Sequence, residues 1–250
     1  LLNELKKISI KNILKLTARG LGLITLSVIL GLGLGMARKH YNLYNDLLAR
    51  QNIKNSSVLV IVDQITGRGG SGVIVKSNKN GTWVLTNKHV CTANKFENLF
   101  IKPRLGITEY SGFGIKRLND ADKTKPLIFP GQVMKVATNY DLCLIYTDVV
   151  SLPHVPIAND MPNPKTKLYA YSAPNGALGV FSEGEAGHSE YIDFMLEQYT
   201  TVLGSPGSSG SGVFNTDGEL VGLVNLINGR GLTLMVPLPH VKHFLGDLIK

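Results

Sequence analysis

The sequence predicts an all-β domain, a barrel or sandwich, with one apolar helix before it and a short helix after it. Three observations carry this. Ten short β-rich apolar runs recur between residues 58 and 236, separated by Gly, Asn, Asp and Pro. Before them stands Gly20 to Ala37, 18 residues without a charge, bracketed by Arg19 and Arg38. After them, Pro239 to Lys250 spaces Val241, Phe244, Leu245 and Leu248 at helical intervals.

Composition narrows the class. A chain of 250 residues with 44% hydrophobic residues buries a sizeable core and is too apolar for disorder. Two cysteines cannot staple a chain of this length, and 27 glycines in no fixed period exclude a collagen-like repeat. The net charge of +8 is concentrated at one end: residues 1–51 carry eight basic and two acidic side chains. Basic residues flanking an apolar run fit membrane topology, so no nucleic-acid partner is expected.

The elements follow in order. Residues 1–19 form a basic segment, and 20–37 are expected to be a single-pass membrane anchor. Eighteen helical residues rise roughly 27 Å, enough to cross most of a bilayer core of about 30 Å. Gly31 and Gly35 form a small-xxx-small pair, compatible with helix association and an oligomer. The alternatives are a cleaved signal with Gly35-Met36-Ala37 as its cleavage site, or a buried soluble helix. The charge balance leans toward a cytoplasmic N-terminus, which puts the bulk of the chain outside the cytoplasm. Residues 38–56 read as a juxtamembrane linker or helix, and 57–250 as the folded domain. Within it the runs include Val58–Val62, Gly72–Val75, Trp83–Leu85, Leu142–Ile145, Leu220–Val224 and Leu232–Val236, with Asn80-Gly81 and Asp217-Gly218 as hairpin turns.

Three local sequences carry chemistry. Leu85-Thr86-Asn87-Lys88-His89-Val90-Cys91 places a histidine directly after a strand. Asn139-Tyr140-Asp141-Leu142-Cys143-Leu144-Ile145 places an acid at the mouth of a buried one. Pro206-Gly207-Ser208-Ser209-Gly210-Ser211-Gly212 is a Gly/Ser-rich loop. Each alone is commonplace. Together, in this order, they are the parts of a hydroxyl nucleophile with its base and orienting carboxylate. A serine hydroxyl needs an adjacent base, histidine has the pKa to serve, and a carboxylate fixes the imidazole tautomer. Glycines beside the serine let backbone N–H groups converge on a developing oxyanion.

These motifs resemble the trypsin-like (chymotrypsin-fold) serine peptidases, and among them the Deg/HtrA-like branch. The likeness rests on Gly70-Ser71-Gly72-Val73-Ile74, Leu85 to Val90, Asn139 to Ile145, Pro206 to Ser211, and Asp217 to Gly222, and covers roughly residues 57–245. It implies a double six-stranded β-barrel and a serine endopeptidase that needs neither cofactor nor metal and acts on a protein or peptide substrate. It implies catalytic residues His89, Asp141 and Ser209, an oxyanion hole from the N–H groups of Gly207 and Ser209, and a substrate site lined by Leu203, Asn225, Leu226 and Ile227. No charge lies at those lining positions, which favours a small or apolar P1 residue. Ser211-Gly212 stands where the branch commonly has Gly-Pro, so Ser208 and Ser211 remain rival nucleophiles. No room is expected after Lys250 for the branch's C-terminal peptide-binding domain, so activation by one is not assumed.

Cys91 and Cys143 follow the histidine and the aspartate by two residues each, and are expected either to pair or to remain buried thiols. His240 and His243 alone approach a ligand spacing, and no metal is expected there. Two other functions stay open: a catalytically inactive peptidase fold that binds a partner peptide, and a processing peptidase of a viral or mobile-element polyprotein.

Overall fold

The computed structural model describes residues 35–63, 68–92, 99–103, 129–174, 179–192, 195–227 and 232–249. The basic segment 1–19, and all but the last three residues of the expected span 20–37, lie outside the described residues. No helix among the described residues is long and apolar enough to cross a membrane. Helix α1 covers 35–56. Its C-terminal part belongs to the packed unit Leu48–Lys250. Ala49 and Ile53 are buried in that unit, and burying an isoleucine side chain contributes about 1.5–3 kcal/mol. Arg50 pairs with Glu183 at 2.7 Å and lies over the rings of Tyr169 and Phe181.

The strands that follow are β1 (Ser57–Asp63), β2 (Arg68–Asn78), β3 (Gly81–Thr86), β4 (Leu99–Pro103), β5 (Phe129–Val136) and β6 (Cys143–Thr147), with the one-turn helix α2 (Lys88–Thr92) after β3. Then come β7 (Lys167–Ser172), β8 (Val180–Ile192), β9 (Met195–Thr200), β10 (Gly212–Phe214), β11 (Leu220–Ile227) and β12 (Thr233–Pro237), and helix α3 (Leu238–Leu245). They close into two six-stranded antiparallel barrels, ordered β1-β2-β3-β6-β5-β4 and β10-β11-β12-β9-β8-β7. The sequence left a barrel or a sandwich open on periodicity alone. Closure removes the edges that a sandwich would expose.

The period-two alternation of the strands builds three cores. Ile74, Val84 and Ile145 point into the first barrel with Val58 and Val60. Their neighbours Val73, Val75, Leu85 and Leu144 face the other way and meet Tyr169, Phe214, Leu223 and Val236 of the second barrel. Leu168, Ala170, Val213, Val221 and Met235 fill the second barrel. The middle cluster therefore glues one barrel to the other and fixes the groove between them. Helix α3 seals it with Val241, Phe244 and Leu245. The helix is shorter than the apolar spacing suggested: Gly246, at φ +51°, caps it through its N–H to the Lys242 carbonyl, and a 3₁₀ turn, Gly246–Ile249, follows.

Candidate active site

Strand β3 ends at Thr86; Thr86 and the following Asn87 are both fully buried, and α2 begins at once. The turn is fixed by Asn87, whose carbonyl accepts the Cys91 N–H while its Nδ2 donates to the Asp141 carbonyl at 2.9 Å. This aims the His89 side chain at Asp141, just before β6. Asp141 Oδ2 lies 2.6 Å from His89 Nδ1, and Asp141 Oδ1 accepts the backbone N–H of His89 at 2.9 Å. With Nδ1 as the donor to the carboxylate, the proton-accepting lone pair is on Nε2. Nε2 has no hydrogen-bond partner among the described residues. Cys91 and Cys143 form a disulfide that ties α2 to β6 directly beneath this pair, resolving the alternative the sequence left open.

The second half of the site is the loop before β10. Pro206 and Gly207 occupy the centre of a turn closed by the Ser208 N–H on the Ser205 carbonyl at 2.8 Å. Gly207 has φ +90°, the value a type II turn demands at its third position, and Pro206 is favoured at the second. Gly210, at φ +82°, makes the next sharp bend. Its N–H reaches the Val224 carbonyl at 2.9 Å, and the Val224 N–H reaches the Ser211 carbonyl at 2.9 Å, which stitches the loop to β11. The N–H groups of Gly207 and Ser209 have no hydrogen-bond partner among the described residues.

Of the three serines in the loop, Ser208 and Ser211 are fully buried. Ser211 Oγ is bound to the Ser208 carbonyl at 2.6 Å. Ser209 alone is partly exposed. Its hydroxyl makes no hydrogen bond to His89; it donates to the Asn225 carbonyl at 3.3 Å. Leu203 and Leu226 are exposed, 42% and 54%, as surfaces for an apolar group. Asn225 is placed differently: its side chain is buried, and Nδ2 donates to Glu197 Oε1 at 2.8 Å. The backbone of Ile227 ends β11.

Two residues of the site were not legible in the sequence. Ser71, in β2, holds the loop from across the groove: its N–H donates to the Ser209 carbonyl at 2.7 Å and its Oγ to the Gly207 carbonyl at 2.8 Å. Its only signal was its place between Gly70 and Gly72. Glu197, in β9, lies 4% exposed behind Asn225. Burial, opposed by the Asn225 hydrogen bond and then reinforced by the Asp141 charge, pushes its carboxyl up to about 7.

Residues 70–223 match the family model of the trypsin-like peptidase domain. The HtrA-like serine protease of Staphylococcus haemolyticus is 26% identical over 186 residues, 72% of this chain and 28% of that protein. The chain thus spans under a third of the length of this curated relative. Among solved structures, the serine endoprotease from Yersinia pestis superposes with a TM-score of 0.63 at 23% identity, over 82% of this chain and 66% of that one. The inactive form of the Rv3671c protease of M. tuberculosis superposes with a TM-score of 0.60 at 14% identity, over 80% of this chain and 91% of that one. Both superpositions speak to the double-barrel fold. The family match covers more than half of the chain and contains all three motifs, and the chain belongs to the trypsin-like peptidase family.

Proposed function

We propose that the chain is a membrane-anchored serine endopeptidase that works through Ser209, His89 and Asp141. The Ser209 hydroxyl leaves the Asn225 carbonyl for His89 Nε2 by a change of χ1 rotamer when substrate binds. Its oxygen adds to the scissile carbonyl while its proton passes to Nε2, and the oxyanion takes the free N–H groups of Gly207 and Ser209. The C–N bond breaks as the imidazolium returns that proton to the leaving amine, and an acyl-Ser209 remains. Water, deprotonated by the same imidazole, then hydrolyses the ester.

The observation that carries the reading is the pairing of a fully engaged Asp141–His89 unit with the N–H groups of Gly207 and of Ser209 itself, unpartnered among the described residues, at the one partly exposed serine of the 206–212 loop. Past Val224, β11 has no partner strand on its β10 side among the described residues. Residues 225–227 are therefore where a substrate strand would add, with its P1 side chain between Leu203 and Leu226.

The anchor belongs to the same proposal. Gly20 to Ala37 would span the membrane once, after the basic segment 1–19 and running into the first residues of helix α1, which leads into the peptidase unit. The Cys91–Cys143 disulfide supports an oxidising compartment for that unit, outside the cytoplasm.

One observation favours a second reading. The Ser209 hydroxyl rests on Asn225, not on His89, as in a fold that binds peptides without cutting them. A quenched-peptide library separates the two. Cleavage after apolar residues by the wild type, lost in Ser209→Ala, supports the peptidase. A folded wild type that binds library peptides and cuts none supports the binder.

A further inference from the structure

The mechanism leaves one buried carboxyl without a role. Glu197 Oε1 accepts from Asn225 Nδ2 at 2.8 Å. Glu197 Oε2 and Asn225 Oδ1 are both buried, and neither has a hydrogen-bond partner among the described residues. Both are acceptors, on two groups already joined by one bond. A single proton on Oε2 removes the mismatch, because the carboxyl then has an O–H to donate to Asn225 Oδ1. A carboxylic acid and a primary amide make a ring of two hydrogen bonds in this way. Asn225 is also the residue whose carbonyl receives the Ser209 hydroxyl, at 3.3 Å.

We infer that Glu197 is a positioning residue: as a neutral acid it clamps the Asn225 amide and so fixes the β11 backbone at the first of the residues where the substrate strand would add beside Ser209, an inference that rests on the proposed peptidase function. The surroundings favour the proton. Across the groove stands Asp141, bound to His89. On β8, Glu190 lies opposite Glu197 in register, bound to the Tyr199 hydroxyl. From α3, His240 reaches the Leu196 backbone and stacks on Tyr140, with His243 beside it. Strands β11 and β12 contribute no titratable group. Ionisation of Glu197 removes the second bond of the clamp and sets a negative Oε2 against Asn225 Oδ1. Activity is then lost from a high-pH limb near 7, in kcat more than in KM.

The test is a set of pH–rate profiles on the full chain. Glu197→Gln supplies an amide that cannot ionise but keeps both bonds; it should hold kcat within about twofold of wild type at pH 6 and lose the high-pH limb. Glu197→Leu should have a kcat about tenfold below wild type at pH 6, the worth of a buried hydrogen bond, and no high-pH limb. A Glu197→Leu enzyme with wild-type kcat and an unchanged profile overturns the inference. If that variant does not fold, infrared difference spectra of Ser209→Ala decide: a protonated-carboxyl band at pH 6 that vanishes with Glu197→Gln supports the clamp, and its absence overturns it. The infrared readout does not depend on turnover. A wild type that cuts nothing yet shows the band defeats the peptidase reading and leaves the Glu197–Asn225 clamp standing without a catalytic role.

Discussion

Ser71, in the first barrel, grips the backbone on both sides of Ser208 in the second: its N–H holds the Ser209 carbonyl at 2.7 Å and its hydroxyl holds the Gly207 carbonyl at 2.8 Å. Its Oγ also accepts the Ala173 N–H at 3.2 Å, and its carbonyl accepts the Thr86 hydroxyl at 2.7 Å. One fully buried side chain thus sets the position of the loop relative to the His89 segment. Ser71→Ala removes the Oγ bonds and leaves the Ala173 N–H and the Gly207 carbonyl without that partner. The expected cost is about 1–3 kcal/mol in urea unfolding. The loop is also less well held, so kcat should fall further than the folded fraction does.

Asp141 gives both carboxylate oxygens to His89. In Asp141→Asn the amide presents an N–H toward Nδ1, which favours the wrong tautomer. The expected result is a loss of kcat of roughly 10⁴-fold with KM and the unfolding midpoint little changed. A loss under tenfold in steady-state peptide hydrolysis would contradict the role given to this pair.

The disulfide closes a loop between positions 52 apart and joins α2 to β6. Replacing both cysteines with alanine should lower stability by about 2–4 kcal/mol. Because the bond lies two residues from both His89 and Asp141, the folded variant should also lose kcat. Circular dichroism melts and peptide hydrolysis on the same sample check the two effects.

Glu197 makes stability pH-dependent. Its folded-state value of about 7 lies above the ordinary 4.5, so the folded state holds the proton more tightly than the unfolded one. Its contribution is therefore full below about 4.5 and disappears as pH rises through about 7. The loss amounts to about 3 kcal/mol at most. Glu183 runs the other way: Lys167 first, then Arg50, lowers its carboxyl, so its contribution is present at high pH and lost on acidification. It is 43% exposed and contributes little. Denaturation series at pH 5 and pH 8 should differ in the wild type and differ much less in Glu197→Gln.

Gly210→Ala should not yield folded protein. The residue sits at φ +82°, and a Cβ there would collide with the Ser71 carbonyl oxygen and Thr86 Oγ1. Soluble expression and a cooperative melt would contradict this.

Ten of the strands were legible because their runs hold Val, Ile, Leu or an aromatic side chain at strand spacing. The two that were missed, β8 and β9, explain what else was missed. β8, Val180–Ile192, reads Ser-Glu-Gly-Glu-Ala-Gly-His-Ser-Glu along most of its length, and only Ala186 in it is buried. Its register comes from its partners β7 and β9, not from its own residues. Without β8 and β9, Glu197 had no element to sit on, and an acid inside a core gives no signal in a hydrophobic pattern. The segments that carry His89, Asp141 and Ser209 were legible because each is a short local run of residues. Ser71 was not, because a buried serine that holds a distant loop is defined by contacts 136 residues away.

The Ser209 hydroxyl, activated by His89, is the proposed nucleophile. Its most direct test is intact-mass and peptide mapping after exposure to an apolar fluorophosphonate. One adduct per chain is expected, on the Ser209 side chain, absent in His89→Ala. An unlabelled folded wild type, or an adduct on Ser208 or Ser211, would contradict it.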